Sequence, residues 1–352
     1  MTGHDLAGDL RTILPALLFL CTAVPLASLL DTTGFFSACA ARLCEGRDRV
    51  PVLALWVLAA ATTAVLNLDT TIVLLTPLYA RLATRTGSSP LALAAVPLLL
   101  ASLASSVLPV SNLTTIIAAE RLELGVADVL THTALPSLAA CVVGWWCYRR
   151  RHPSYLHGVD GAPADRHALR VGGVVVVFVL VGFTLGPSIG LDAWVVALVA
   201  DVVLMVMTRR LPWREVPVAT AVGVAAVAAV VGLLPVGRLH ELLVGADPWS
   251  VVAAGVGGAT TANLVNNLPS ALWSVRAVDE VTWGFWSWLL AINTAAVLVP
   301  IGAVANLLWW RIVRAEGVAV DLRTYLRLVV PVAAPAAVAA LAVLLVEQQL
   351  WG

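Results

Sequence analysis

The chain has 352 residues and zero formal net charge; 60% of its residues are hydrophobic, only 12% are charged, and the mean hydropathy is +0.94. Soluble domains carry about twice that share of charge, so composition excludes a soluble globular protein. Every basic residue is an arginine and no basic face is visible, which excludes a nucleic-acid binder. Apolar runs approaching the roughly 20 residues that span a bilayer recur along the length, without the short alternation of a transmembrane barrel. The expectation is an all-α integral membrane protein.

The first apolar run covers about Thr12 to Leu30 and meets Asp31-Thr32-Thr33-Gly34-Phe35-Phe36, with helix expected to continue to Leu43. Leu10 to Ala40 has the outline of a signal peptide, but Asp5 and Asp9 give its leading segment the wrong sign, so it is read as retained. The stretch 49–86 climbs from Val50 to Asn67-Leu68-Asp69-Thr70-Thr71 and descends through Ile72–Ala80 to Arg81 and Arg85. Basic residues at both ends predict a re-entrant hairpin. An ionisable side chain at membrane depth costs about 3 kcal/mol and marks a functional site by default, which singles out Asp69.

Leu91 to Ile117 reads as a span broken at Leu108-Pro109-Val110-Ser111-Asn112, where proline removes a backbone donor. Another span, about Val129 to Tyr148, ends at three arginines. The polar segment 152–170, with Pro153, Gly158, Gly161 and Pro163, reads as a linker between a first repeat (1–151) and a second (171–352). Two spans without counterparts, about Val171 to Leu185 and Ala193 to Met207, open the second half. The earlier order then returns: a span from Val216 to Leu234, a hairpin over 249–280, a span from Trp283 to Trp310 broken around Pro300-Ile301-Gly302, and a span from Leu328 to Val346. The expected fold is therefore about eight transmembrane helices plus two re-entrant hairpins in inverted-topology repeats, with two broken helices. Alternating the spans puts every arginine on one face except Arg11, Arg121, Arg238 and Arg276, which makes that face cytoplasmic and both termini extracytoplasmic in a plasma membrane.

Hairpin tips and helix breaks leave backbone groups unpaired, and at mid-membrane these coordinate a small solute or ion. The candidate site residues are Asn67, Asp69, Thr70, Thr71, Ser111, Asn112, Thr114 and Thr115 in the first half. In the second they are Thr260, Thr261, Asn263, Asn266, Asn267, Asn293, Thr294 and Gly302. Asp69 and Asp201 are the candidate proton relay. The asparagines and threonines can also serve as glue between helices, and Asp69 can serve as a helix N-cap. Trp273, Trp283, Trp286, Trp288, Trp309 and Trp310 read as interfacial anchors. Cys21, Cys39, Cys44, Cys141 and Cys147 show no metal-ligand spacing and read as small buried hydrophobes, with no cofactor or metal expected. Histidines in loops or near span ends leave no catalytic set at membrane depth, so no enzyme is expected; the different-class alternative is a non-transporting scaffold.

Several stretches resemble the arsenite/antimonite efflux permeases of the ion-transporter superfamily, which also holds sodium/proton antiporters and divalent-anion symporters. The matching pieces, in the family's order, are Leu30-Asp31-Thr32-Thr33-Gly34-Phe35-Phe36, Asp69 through Leu75-Thr76-Pro77, Val110-Ser111-Asn112-Leu113, Asn266-Asn267-Leu268-Pro269, and Pro300-Ile301-Gly302 to Leu307-Leu308-Trp309. The chain departs from the family at Ser102 and Asn293, where aspartates are typical, and at Ala295-Ala296-Val297 in place of a Gly-Pro-Lys run. The resemblance implies efflux of arsenite, antimonite or a similar small oxyanion, coupled to protons or sodium; alternatives within the superfamily are sodium/proton antiport and carboxylate symport. The expected partners are a small inorganic solute, the coupling ion, the lipid bilayer and a second copy in a homodimer.

Overall fold

A computed structural model describes residues 6–45, 49–157, 163–245 and 247–351. Arg47, Gly158 and Gly161, used above for charge counting and for the linker, lie outside the described residues. Helix continues through Leu43, but in two pieces: Gly34, at φ 77°, separates α1 (Leu6–Thr32) from α2 (Phe35–Cys44). The hydroxyls of Thr32 and Thr33 turn back to the carbonyls of Leu29 and Leu30, satisfying the helix end before the break.

A hairpin of α3 (Val52–Val65) and α4 (Leu68–Arg85) follows. Next comes a broken helix, α5 (Pro90–Leu103) and α6 (Leu113–Arg121), joined by a short 3₁₀ turn, and then the long α7 (Val126–Arg149). Two helices, α8 (Arg166–Leu185) and α9 (Ala193–Thr208), intervene. The sequence helix, hairpin, broken helix, long helix is then met again. Its members are α10 (Val218–Val231); α12 (Pro248–Val265) with α13 (Asn267–Ala277); α14 (Trp283–Thr294) with α15 (Val304–Ala315); and α16 (Leu322–Trp351). A short α11 (Gly237–Leu243) lies between α10 and the second hairpin.

One expectation needs correcting. The described residues are not purely helical: β1 (Arg49–Pro51) pairs antiparallel with β2 (Tyr155–His157), so part of the linker is pinned to the foot of the first hairpin. The alternation test missed it because three-residue strands have no period to detect.

Among the described residues, four helical stretches are long and apolar enough to cross a membrane: Leu14–Thr32, Val126–Arg149, Arg166–Leu185 and Leu322–Trp351. At 1.5 Å per residue α7 is about 36 Å long, so its ends mark opposite ends of the molecule. Near its C-terminal end, Trp56 of α3 packs on Trp145 and Tyr148, and the Tyr148 hydroxyl donates to Ala92 O at the start of α5 (2.8 Å). Near its N-terminal end, His132 stacks on Trp286 and meets Trp283 edge-on at the start of α14. The second hairpin has its foot at that end: Thr282, just ahead of α14, bonds to Leu243 O of α11, and His240 bonds to Ala277 O at the end of α13. The two hairpins thus enter the bundle from opposite ends. Broken helix α14–α15 runs between them, since Glu316 beyond α15 pairs with Arg81 of α4 through both carboxylate oxygens (2.9 and 2.6 Å). At the foot of the second hairpin, the hydroxyl and N–H of Ser250 hold the Asp247 carboxyl below its usual range while Asp247 caps α12.

The tryptophans are a second correction. Trp286, Trp288 and Trp309 are buried in the core and do not anchor an interface. The indole of Trp309 donates to Ala94 O (2.7 Å) and that of Trp288 to Ser270 O (3.3 Å), so they tie α15 to α5 and α14 to α13.

Thr84 and Asp279 are both exposed, one near the foot of each hairpin. Single cysteines at these positions, in a background free of other cysteines, should label with an impermeant thiol reagent from opposite faces of intact cells and everted vesicles. Labelling of both from one face would contradict the opposed hairpins.

Candidate functional site

Each hairpin reverses on an asparagine held at positive φ: Asn67 at 148° and Asn266 at 88°. Asparagine tolerates that region better than other non-glycine residues, and its short amide can cap the helix that follows. Asn67 Oδ1 accepts from the N–H of Thr70 (2.8 Å), and Asn266 Oδ1 accepts from that of Leu268 (3.1 Å). The N-cap of α4 is therefore Asn67, not Asp69. Thr71 completes the first tip by donating to Asn67 O (3.1 Å) and accepting from Thr63 (2.9 Å).

Each break is tied to the hairpin of its own half. Ser111 donates to Ala64 O at the end of α3 (2.7 Å). In the second half, Asn263 donates to Ala295 O (2.9 Å) and accepts from Val299 N (3.1 Å), and Asn266 donates to Ile301 O (2.9 Å). Asn306, which the sequence reading passed over, donates to Ala296 O and Val299 O (2.9 and 3.0 Å) and so satisfies carbonyls freed by the second break. Gly302 sits where a Cβ would lie 2.1 Å from Ala296 O and 3.0 Å from Asn263 Oδ1, so only glycine fits.

One side chain of the second half reaches into the first break. Asn293, 1% exposed at the end of α14, accepts from Asn112 Nδ2 (3.1 Å) and the Thr114 hydroxyl (2.6 Å). It donates to Ser106 (3.2 Å) and Thr115 (3.1 Å), while Asn112 also reaches Ser105 (3.1 Å). Ser105 and Ser106 belong to this network because α5 ends at Leu103, five residues ahead of the break the sequence suggested. Their signal was present as a polar pair in an apolar run.

In front of this framework lies a cavity of about 570 Å³. Its deep wall is made by Leu68, Asp69 and Thr70 of α4, Asn112, Leu113 and Thr114 at the start of α6, Asn267 and Leu268 of α13, and Ala303, Val304 and Ala305 at the start of α15. Both hairpin tips and both breaks therefore contribute. Every one of these contributions is the N-terminus of a helix, whose free N–H groups and dipole favour negative charge. Helices α1 and α10 close the side, and the mouth carries Asp31, Arg214 and Glu215, all exposed.

Of the sequence-derived candidates, Asp69, Thr70, Asn112, Thr114 and Asn267 line the cavity. Asn67, Thr71, Ser111, Thr115, Asn263, Asn266, Asn293 and Gly302 stand behind it and shape it. Thr261 and Thr294 bond back to carbonyls of their own helices. Thr260 is placed elsewhere: it is exposed on the outer side of α12, with its hydroxyl on Val256 O (2.7 Å), a satisfied helix threonine and not part of the wall. Asp201 lies on α9, which packs against α1; it is buried, does not line this cavity, and its Oδ1 has no partner among the described residues. No group of three metal-ligating side chains occurs among the described residues.

Two opposed hairpins and two broken helices around one cavity define a predominantly helical, multi-pass membrane transporter. Residues 11–296 match the family model described as CitMHS, citrate transporter. The chain belongs to that family, within the ion-transporter superfamily, and the resemblance to the arsenical permeases holds in the comparisons as well. It is 27% identical over 341 residues to arsenical pump membrane proteins of Yersinia enterocolitica and Escherichia coli, covering 85% of this chain and 78% of theirs. The crystal structure of the Alcanivorax borkumensis YdaH transporter, described there as having an unusual topology, matches with a TM-score of 0.60 at 16% identity, over 97% of this chain and 86% of that one.

Two substitutions test the framework. Asn293→Ala strands buried donors and acceptors in the first break, which should cost about 2–3 kcal/mol and lower the unfolding midpoint in detergent; an unchanged midpoint would mean that Asn293 does not join the halves. Gly302→Ala pushes the second break off Ala296 and should cut transport at least tenfold in vesicles with normal membrane insertion. Unaltered transport would detach that break from the site.

Proposed function

We propose that this protein is a secondary active transporter of the plasma membrane that exports arsenite, antimonite or a similar small oxyanion. Proton antiport or the membrane potential drives it, with Asp69 as the coupling group. The observation that carries the reading is the convergence of four helix N-termini and one carboxylate on a single cavity. Helix N-termini suit the solute's oxygens, and a carboxylate suits a proton or sodium ion. In this reading the hairpins are re-entrant, the other helices form eight spans, and 1–151 and 171–352 are inverted repeats around the 152–170 linker. The arginine-rich end is cytoplasmic, both termini are extracytoplasmic, and the cavity mouth at Asp31, Arg214 and Glu215 faces the cytoplasm. Arsenical transport is favoured by the names of the relatives, and carboxylate symport, the second reading, by the description of the family model.

The test is transport in everted vesicles, with arsenite, antimonite, sodium and dicarboxylates assayed in parallel for wild type and Asp69→Asn. Asp69 is not the helix cap, so the amide should leave folding intact. Uphill accumulation of the solute should be lost in the variant while energy-independent exchange persists. If the variant accumulates solute as well as wild type, Asp69 is not the coupling group, and uptake of none of the solutes by wild type would contradict the export reading.

A further inference from the structure

Helices α7 and α16 pack on each other, and each turns an apolar face outward. On α7 that face is Leu135, Leu138, Val142 and Trp146, spaced three and four residues apart; on α16 it includes Val338 and Val346. Positive charge is confined to one end of the pair. The Tyr148 hydroxyl near the end of α7 bonds to Ala92 O, the Trp309 indole bonds to Ala94 O, and Trp309 meets the ring of Tyr325 near the start of α16. The end of α7 and the start of α16 therefore lie together against the start of α5. They bring Arg149, Arg150, Arg151, Arg323 and Arg327 to one corner, all exposed, whereas the opposite ends of the two helices carry no arginine.

Helix chemistry accounts for only part of this cluster. Cations offset the dipole at the end of α7, and Arg151 bonds to Cys147 O there (3.2 Å). Arg323 and Arg327 stand in the opening turns of α16, where the dipole disfavours them. Asp321 lies beside Arg323 and is engaged as the acceptor of Thr324 N (2.7 Å). Among the described residues Arg149, Arg150 and Arg327 form no ion pair. Arg150 is also held in place: its guanidinium lies 3.5 Å over the ring of Trp146, which is 43% exposed where the apolar face of α7 ends. Stacking covers a face of the guanidinium and leaves its edge N–H groups for an acceptor.

Going beyond the transport reading, we propose that this corner is a binding site for one anionic phospholipid. Its phosphate sits on Arg150, Arg327 and the arginines beside them, and its acyl chains lie along the outward faces of α7 and α16. Guanidinium matches phosphate in shape and charge, and Trp146 stands where headgroup gives way to chain. The one-ended charge selects this occupant. A second copy packed on the same faces about an axis normal to the membrane would set arginine against arginine, and a zwitterionic lipid brings a cation of its own.

The experiment compares wild type, purified in detergent, with three variants. Arg150→Gln/Arg327→Gln removes one arginine from each helix. Arg210→Gln/Arg314→Gln removes the same charge at exposed positions elsewhere. Trp146→Leu keeps the apolar face and all charges but loses the stack. Bound lipid is counted by native mass spectrometry, and the unfolding midpoint is followed during titration with phosphatidylglycerol, cardiolipin, phosphatidylcholine or soluble glycerol phosphate. We expect wild type to retain an anionic lipid and to be stabilised by it, with phosphatidylcholine and glycerol phosphate at least tenfold less effective. The first double variant should need about tenfold more anionic lipid for the same rise, the tryptophan variant about threefold more, and the second double variant should match wild type. Equal responses in wild type and the first double variant would overturn the site, as would equal weakening in both double variants. Phosphatidylcholine acting as well as phosphatidylglycerol would reduce it to a non-specific lipid belt, and glycerol phosphate acting as well would make it a free-phosphate site; either contradicts the proposal. So would a change of oligomeric state in the first double variant with its lipid response intact, which would assign the face to a second copy.

Discussion

Backbone that leaves the helix inside a membrane protein has no water to satisfy it, and this constraint organises the whole molecule. Two hairpin tips and two breaks place helix ends deep within the bundle, and each would cost several kcal/mol if left bare. The chain answers with asparagine. Asn67 and Asn266 turn the tips and cap the helices that follow, Asn263 and Asn306 satisfy the second break, and Asn293 fills the first break from the other half of the chain. The neutral amide serves where a charge would not, because it donates and accepts without the desolvation cost of an ion.

From that solution follows the candidate site. Capping the helix ends behind the cavity fixes their positions and aims their N-termini forward at a common space. The wall therefore sets helix N-termini and the side chains of Asp69, Thr70, Asn112, Thr114 and Asn267 among apolar residues. The buried tryptophan and tyrosine donors, Trp309 to Ala94 and Tyr325 to Val297, brace the half-helices from behind so that short segments such as α14 and α15 hold their place. Rigid support of this kind lets a site discriminate among small solutes.

Much of the fold could be read from the residues because a hydrophobic span interrupted by asparagine, threonine or proline is a local signal. Asn67, Asn112 and Asn266 stood out in apolar runs, and all three mark helix starts. What escaped was non-local. The pairing of Arg49–Pro51 with Tyr155–His157 joins segments about a hundred residues apart, and nothing in either segment announces the other. Trp286, Trp288 and Trp309 lie near the ends of apolar runs, but sequence position does not say which face of a half-helix turns inward. Thr260 looked like a member of the cluster because threonine next to threonine is polar in composition; on the helix it points outward and satisfies itself.

The first break and the cavity in front of it depend on the contact that Asn293 makes across the two halves. Its most direct test is an intramolecular cross-link between cysteines at Thr114 and Asn293, whose side chains approach to 2.6 Å, in a background free of other cysteines and with a protease site inserted after His157. After mild oxidation in membranes and cleavage, the two fragments should migrate as one band that separates only on reduction. Fragments that separate without reduction, from protein that inserts normally, would contradict the joined breaks and the cavity built on them.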